Sequence, residues 1–98
     1  MSVSVIVPCY NAERWLARTI LSVLSQKVPP AEVIVVDDGS SDTSHEIAAS
    51  FGKRIRLIRQ PNAGACRARN VGLKAAKANF IMFLDADDYL EGDFLGGA

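Results

Sequence analysis

Apolar residues in this chain are grouped into four short runs, separated by longer segments of mixed character. The runs are rich in β-branched and aromatic residues, which favour strands, and each has the length of a single strand. They read VSVIVP at residues 3–8, VIVV at 33–36, IRLIRQ at 55–60 and FIMFL at 80–84. We predict four strands, of which the first is buried and stops at Pro8 because proline cannot continue a central strand.

The segment after the first run has the periodicity of a helix. Asn11 is a good N-cap for this helix, and Pro29 follows its predicted end. The apolar residues that recur at steps of three and four are Ala12, Leu16, Ile20, Val23 and Leu24.

Two more helices are predicted between the later runs. Thr43 and Glu46 have the spacing of a capping box, and Gly52 is placed to end the second helix. The alanine-rich segment 63–79 carries apolar residues on one stripe, so it is predicted to be helical in spite of Gly72.

Strands that alternate with helices are typical of an α/β fold with a mostly parallel sheet between two layers of helices. In such a three-layer α/β/α arrangement the carboxyl ends of all strands lie at one edge of the sheet, where open α/β sheets bind ligands. The segments predicted to meet at this edge are residues 8–11, 37–40, 60–64 and 85–88.

Composition limits the function classes that the fold has to serve. The 98 residues are 49% hydrophobic and carry 11 basic and 11 acidic side chains, which fits one globular domain. A net charge of zero gives no support to nucleic-acid binding. Cys9 and Cys66 have no metal-type spacing and are expected to be free thiols. No basic leader precedes the first run, so a cytoplasmic location is expected.

Carboxylates are concentrated at the predicted ligand-binding edge. Asp37 and Asp38 follow the second run, and the FLDADD stretch places Asp85, Asp87 and Asp88 after the fourth. Such a cluster repels itself unless a cation lies within it, and hard oxygen ligands favour Mg²⁺, Mn²⁺ or Ca²⁺. Asp85 and Asp87 point to the same side of an extended segment and could share that cation.

Four motifs in this order resemble the family-2 glycosyltransferases, which have the GT-A fold. They are VSVIVPCYN, VIVVDDGSSD, NAGACRARNVGLKAA and FIMFLDADD, and the similarity extends from Val3 to about Asp93. The resemblance implies that residues 1–98 form the Rossmann-like, nucleotide-sugar-binding N-terminal part of a glycosyltransferase domain. Because the chain stops at Ala98, we expect it to be a truncated part of that domain.

The resemblance also implies roles for particular residues. Asp38 would accept a hydrogen bond from the base, in particular the imide N–H of uracil, and Asp37 would orient the surrounding loop. Asp85 would meet the ribose hydroxyls and help to hold a metal, and Asp87 would bind the metal as the last residue of a DXD motif. The remaining residues expected at the nucleotide are Pro8, Tyr10, Asn11, Gly39, Arg69 and Asn70.

The implied activity is the inverting transfer of a sugar, from a UDP-sugar in particular, to a hydroxyl of a glycan, lipid or other acceptor. Mn²⁺ or Mg²⁺ would stabilise the departing diphosphate. The general base is expected beyond Ala98, so this part alone is expected to be inactive. Association with the inner face of the membrane is a further expectation, as is self-association through the sheet edge or through the apolar surface that the missing half would cover.

Other classes are compatible with parts of the pattern. A nucleotide- and metal-binding module without turnover would need the same residues but no downstream acid. A haloacid-dehalogenase-type phosphatase also has a DXD motif, but on its first strand. A dinucleotide-dependent dehydrogenase needs glycines after the first strand, where this chain has PCYNAE, and a response-regulator receiver needs acids there.

Overall fold

The computed structural model describes residues 2–88 and 90 of the chain. They form one sheet of four parallel strands, in the order β3-β2-β1-β4. The strands are β1 (Val3–Cys9), β2 (Glu32–Asp37), β3 (Arg56–Arg59) and β4 (Phe80–Phe83). The helices are α1 (Leu16–Leu24), α2 (Ser44–Ala49) and α3 (Ala65–Ala75), with a short 3₁₀ helix at Gly52–Arg54. The predicted α/β class and parallel sheet are confirmed.

Helices cover both faces of the sheet, as the continuous apolar character of β1 and β2 requires. On one face Val5, Val7, Val33 and Val35 join a core with α1 and α2, to which Leu16 and other α1 residues contribute. On the opposite face Ile34 and Val36 pack against Ala68 of α3. The central strands are buried on both sides for this reason.

Gly72 is a packing residue at the contact between α3 and the sheet. A Cβ atom at this position would lie 2.4 Å from Cγ2 of Ile6, a distance that real Cβ contacts do not reach. The sequence pattern suggested a weak point in the helix. The structure shows instead that the missing side chain allows α3 to lie directly on β1 and β2.

The predicted starts of the first two helices are wrong in detail. Asn11 is not an N-cap, because α1 begins at Leu16 and Asn11 lies in a turn with φ of 49°. Thr43 precedes α2 as predicted, but its hydroxyl donates to Glu13 in the neighbouring loop and makes no capping hydrogen bond. Contacts between loops therefore use the side chains that local sequence assigned to helix caps.

The predicted end of α2 is also wrong. The helix ends at Ala49, and Gly52 with φ of 57° begins the short 3₁₀ helix that leads to β3.

Pro8 lies inside β1, a central strand, so the prediction that the strand stops there is wrong. The carbonyl of Ile6 accepts a hydrogen bond from Leu84, and Pro8, two residues on, faces the same neighbouring strand. The pairing of β1 with β4 ends at Ile6 and Phe83. Proline is tolerated because its missing N–H lies where the neighbouring strand has already ended.

Strand order places a crevice between β1 and β4. The chain runs from β1 through β2 to β3 on one side and returns to add β4 on the other. Connections that leave in opposite directions from adjacent strands open a crevice at their carboxyl ends, which is the usual ligand site of such sheets. Among the described residues, no helix is both long and apolar enough to cross a membrane.

Candidate nucleotide-binding site

A cavity of about 410 Å³ lies at the carboxyl edge of the sheet, within the size range of small-molecule sites. All four segments predicted to meet at this edge contribute to it. Trp15 of the first loop and the start of α3, at Gly64 and Ala65, complete the wall. The predicted site residues that line it are Pro8, Tyr10, Asn11, Asp38, Arg69, Asp85 and Asp87.

Asp38 is the most heavily hydrogen-bonded carboxylate of the site. Its side chain is buried, and Oδ1 accepts from Nε2 of Gln60 and from the backbone N–H of Ala63, both at 2.8 Å. Oδ2 accepts from the backbone N–H of Gly64 at 3.0 Å and from Nδ2 of Asn62 at 3.3 Å. These four donors match the acceptor capacity of a carboxylate. Asp38 thus joins the loop after β2 to the loop after β3.

The same contacts keep Asp38 ionised. Burial by itself would raise the pKa of this carboxyl, but the hydrogen bonds donated by Gln60, Ala63 and Gly64 outweigh burial and lower it. A carboxyl whose pKa is lowered on folding stabilises the fold at neutral pH. That contribution is complete above the unfolded-state pKa, near 4, and is lost as the pH falls through the lower folded-state value.

Replacing Asp38 with Asn is therefore expected to destabilise the protein by about 2 kcal/mol at pH 7, because the amide NH₂ would face backbone donors. The difference from wild type should shrink as the pH falls below about 4 and through the lower folded-state pKa, at which the wild-type carboxyl also loses its charge. Urea denaturation at a series of pH values measures both. Glu46→Gln, exposed on α2, is a control expected to cost less than about 0.5 kcal/mol. A difference that does not change with pH would contradict this account of Asp38.

Asp37 lies behind the cavity and does not line it. Its side chain is buried, Oδ1 accepts from the backbone N–H of Ser40 at 3.1 Å, and Oδ2 lies 3.6 Å from Nε of Arg59. His45, for which the sequence suggested no role, places Nδ1 3.3 Å from the same oxygen. These contacts suit the predicted role of Asp37, which is to orient the loop.

Gly39 also lies outside the cavity wall, and its contribution is to the backbone. Its φ of 72° favours glycine, and a Cβ atom would lie 2.7 Å from the backbone nitrogen of Asn62. The loops after β2 and β3 can approach each other only because this position has no side chain. The predicted nucleotide contact of Gly39 stays a prediction.

Asn11 joins the loop after β1 to the loop after β2. Its Oδ1 accepts from the backbone N–H of Ser41 at 2.8 Å, while its own backbone N–H donates to Oγ of Ser40 at 2.9 Å. The backbone N–H of Ala12 donates to Oγ of Ser44 at 2.9 Å. Ser40 and Ser41 of the DDGSSD motif, together with Ser44, therefore fix the position of the loop that carries Tyr10.

Cys9 lies at the end of β1, where it contributes to the cavity wall. Both cysteines are free in the structure, Cys9 buried and Cys66 exposed. Burial raises the pKa of the Cys9 thiol, and this effect outweighs that of the hydrogen bonds with Ser44 and Ser40, which lower it. The thiol form therefore predominates at neutral pH, and it suits a packing role.

Arg69 is the cationic side chain of the cavity wall. It projects from α3, and its Nη2 lies 3.8 Å from Oδ1 of Asp85. The Arg69 and Asp85 side chains are 40% and 66% exposed, so water screens the pair and its contribution to stability is small. Asn70, the next residue of α3, is exposed and does not line the cavity. Its predicted contact with the nucleotide stays a prediction.

Asp85 and Asp87 are exposed carboxylates of the cavity wall. Within residues 2–88 and 90, no three His, Cys, Asp or Glu side chains are grouped to hold a metal. This donor set fits Mg²⁺ or Mn²⁺, which take one or two protein carboxylates and complete their shell with water and phosphate oxygens. It does not fit a cation held entirely by protein.

Sequence reasoning missed some of the residues that hold the side chains and loops of the cavity in place. Gln60 and Asn62 were placed at the edge of the sheet, but nothing in their local pattern indicated that they would surround Asp38. Thr19 was overlooked because it falls between the apolar positions of α1, although its side chain is buried. The available signal was its position three residues after Leu16, which places this polar side chain on the apolar face of the predicted helix.

The chain belongs to glycosyl transferase family 2, whose sequence model matches residues 4–97. It is similar to the uncharacterized glycosyltransferase EpsJ of Bacillus subtilis, with 47% identity over 90% of this chain and 26% of that protein. Glycosyltransferase GlyA of Streptococcus pneumoniae is 42% identical over 95% of this chain and 14% of its own length. The chain thus spans about a quarter or less of these two relatives.

Solved structures show the same GT-A fold. TarS of S. aureus superposes with a TM-score of 0.88 and 35% identity, over 98% of this chain and 18% of that one. The TarS 1-349 complex with UDP-GlcNAc superposes with a TM-score of 0.87 and 36% identity, over 98% of this chain and 29% of that one. The Rossmann-like arrangement predicted from the sequence is confirmed.

Proposed function

We propose that this chain provides the nucleotide-sugar site of a glycosyltransferase that moves a sugar from a UDP-sugar to an acceptor hydroxyl with inversion. The observation that carries the proposal is the juxtaposition, in one cavity, of the Asp38 loop with Arg69, Asp85 and Asp87. Family membership and the binding of UDP-GlcNAc by TarS 1-349 support it.

The base is proposed to lie between the first loop and Asp38. Tyr10 is 53% exposed on the cavity wall and offers an aromatic face, against which a base can stack. Asp38 is ionised and well placed to attract a uracil imide N–H. Since its oxygens already accept four hydrogen bonds, base recognition by Asp38 requires that Gln60 or Asn62 share or give up a contact.

The diphosphate is proposed to lie against Arg69, Asp85 and Asp87. Asp87, assisted by Asp85, would hold Mn²⁺ or Mg²⁺, which supplies Lewis-acid stabilisation of the departing diphosphate when bound. Arg69 adds a second positive charge with a planar donor group suited to phosphate oxygens. The start of α3, at Gly64 and Ala65 in the same wall, adds the positive end of a helix dipole.

The acceptor half of the reaction is proposed from family resemblance. A carboxylate beyond Ala98 would deprotonate the acceptor hydroxyl, which would belong to a glycan, a lipid or another hydroxyl compound. We also propose that the enzyme works in the cytoplasm or at the inner face of the membrane. Residues 1–98 on their own are proposed to be inactive and to associate with another copy through the open sheet edge.

The proposed reaction is tested by measuring UDP release from UDP-GlcNAc and other UDP-sugars by the intact protein, with glycan and lipid acceptors, in Mn²⁺ or in EDTA. We expect release that depends on the divalent cation and on an acceptor. Cation-dependent UDP binding without release under any of these conditions would favour the alternative of a binding module without turnover. Absence of both binding and release would contradict the proposed function.

A further inference from the structure

Thr19 connects α1 to the segment that carries Asp85 and Asp87. Its side chain is fully buried, and its hydroxyl lies 2.7 Å from the carbonyl oxygen of Ala86. The carbonyl oxygen of Asp88 is also within hydrogen-bonding distance of this hydroxyl. The carbonyl oxygen of Trp15 in its own helix lies farther away, at 3.2 Å. The hydroxyl has one proton to donate, and the acceptors beyond its own helix both belong to the DADD segment.

Ser22, one helical turn after Thr19, extends the same connection. Its Oγ accepts from the backbone N–H of Leu90 at 3.0 Å and donates to the carbonyl oxygen of Thr19 at 2.7 Å. Two neighbouring hydroxyls of α1 therefore contact Ala86, Asp88 and Leu90, one through backbone carbonyls and the other through a backbone N–H. The two side chains lie on one face of the helix, as their spacing of three requires.

These contacts begin just after the last hydrogen bond that joins this segment to the sheet. The backbone N–H of Leu84 still donates to Ile6 of β1 at 2.9 Å. Beyond it the chain turns, with the N–H of Asp88 donating to the carbonyl of Asp85 at 3.0 Å. Ala86 is buried between two exposed aspartates, so fixing its carbonyl also fixes the backbone from which the side chains on both sides project.

We propose that Thr19 is a positioning residue for the cation–diphosphate site, supported by Ser22. It lies outside the cavity wall and acts by holding the backbone from which Asp85 and Asp87 project. This inference rests on the proposed function, because it assigns the two aspartates to a cation and a diphosphate. Groups that hold metal ligands in place without touching the metal commonly change metal affinity or activity by about 10- to 100-fold when removed.

The test uses the intact protein as wild type, Thr19→Val, Thr19→Ser and Ser25→Ala. Valine keeps the shape of threonine and removes the hydroxyl, and serine restores the hydroxyl. Ser25 is the matched control, because its hydroxyl donates to Leu21 within the same stretch of chain and contacts no residue of the DADD segment. Calorimetry gives the UDP affinity with Mn²⁺ and with EDTA, and hydrogen exchange followed by mass spectrometry reports on residues 86–90.

Thr19→Val is expected to reduce the Mn²⁺-dependent gain in UDP affinity by at least about 10-fold and to leave the affinity in EDTA unchanged. Exchange at residues 86–90 should be faster than in wild type. Thr19→Ser should restore both, and Ser25→Ala should match wild type. If Thr19→Val does not fold, Ser22→Ala takes its place, with the same directions of change expected.

Two failures can be told apart. If wild type gains UDP affinity with Mn²⁺ and Thr19→Val keeps that gain, the positioning role is wrong and the proposed function is unaffected. If wild type itself gains nothing from Mn²⁺, the assignment of Asp85 and Asp87 fails, and the positioning role fails with it. Faster exchange with an unchanged Mn²⁺-dependent gain would show a purely structural role and would also overturn the inference.

Discussion

Replacing Gly39 with Ala is expected to lower the free energy of unfolding by about 3 kcal/mol, combining left-handed backbone strain with overpacking. Gly39 has φ of 72°, and a Cβ atom would lie 2.7 Å from the backbone nitrogen of Asn62 and 3.3 Å from the carbonyl oxygen of Gln60. Backbone atoms cannot move aside as the end of a side chain can. The loops after β2 and β3 would separate, and urea denaturation of the intact protein measures the cost.

The same substitution is expected to weaken nucleotide binding, because Asn62 and its neighbours surround Asp38. Gly52→Ala is the matched control for backbone strain. Gly52 has φ of 57° but open space around the position of its Cβ atom, so a loss of only about 1 kcal/mol is expected, with UDP binding unchanged. If both variants lose the same free energy of unfolding, the contact between the new Cβ atom and Asn62 is unimportant.

Replacing Asp87 with Asn is expected to reduce the Mn²⁺-dependent gain in UDP affinity by at least about 100-fold. The substitution removes a negative charge and one oxygen ligand from the proposed cation site but keeps the side-chain shape. Asparagine is a weaker ligand for a hard cation, since the charge of the carboxylate is lost. UDP affinity in EDTA should not fall and should rise slightly, because the proposed base and ribose contacts remain and one negative charge beside the diphosphate is removed.

Glu46→Gln controls for the loss of one negative charge, since Glu46 is exposed on α2 and does not line the cavity. It should leave the affinity for UDP unchanged with and without Mn²⁺. An Asp87→Asn variant that keeps the full Mn²⁺-dependent gain would show that the cation is held elsewhere.

The fold could be predicted from the sequence because its signals were repeated and mutually consistent. Four apolar runs alternated with helical segments, and only a parallel sheet covered on both faces buries all of them. Asp38, Asp85 and Asp87 then had to lie along the same edge, because the carboxyl ends of parallel strands share one edge, and the strand order decides how close they come. That reasoning needed no knowledge of side-chain contacts.

Details that depend on contacts between distant loops could not be predicted. Asn11 and Thr43 had the composition of helix caps, but each makes its hydrogen bonds to a residue about 30 positions away. Pro8 is tolerated in a central strand only because β4 ends early, and strand length is a tertiary property. Gly72 looks unfavourable by helix propensity alone, because propensity does not reveal how closely a helix approaches a sheet.

Most of the predicted site residues line one cavity, whereas their individual roles stay predictions. The resemblance gave Asp38 to the base, and the structure shows a carboxylate already surrounded by four donors from the loop after β3. Thr19 and Ser22 lack any motif of their own, so their contacts with Ala86 and Leu90 became visible only in three dimensions.

The central claim is that the cavity between β1 and β4 binds a uridine diphosphate with a cation at Asp85 and Asp87. Calorimetric titration of the intact wild-type protein with UDP, in Mn²⁺ and in EDTA, with GDP as the comparison nucleotide, tests it most directly. The account predicts binding that is tighter with Mn²⁺ than with EDTA and weaker for GDP than for UDP. No heat of binding for UDP by the folded protein in Mn²⁺ would contradict it.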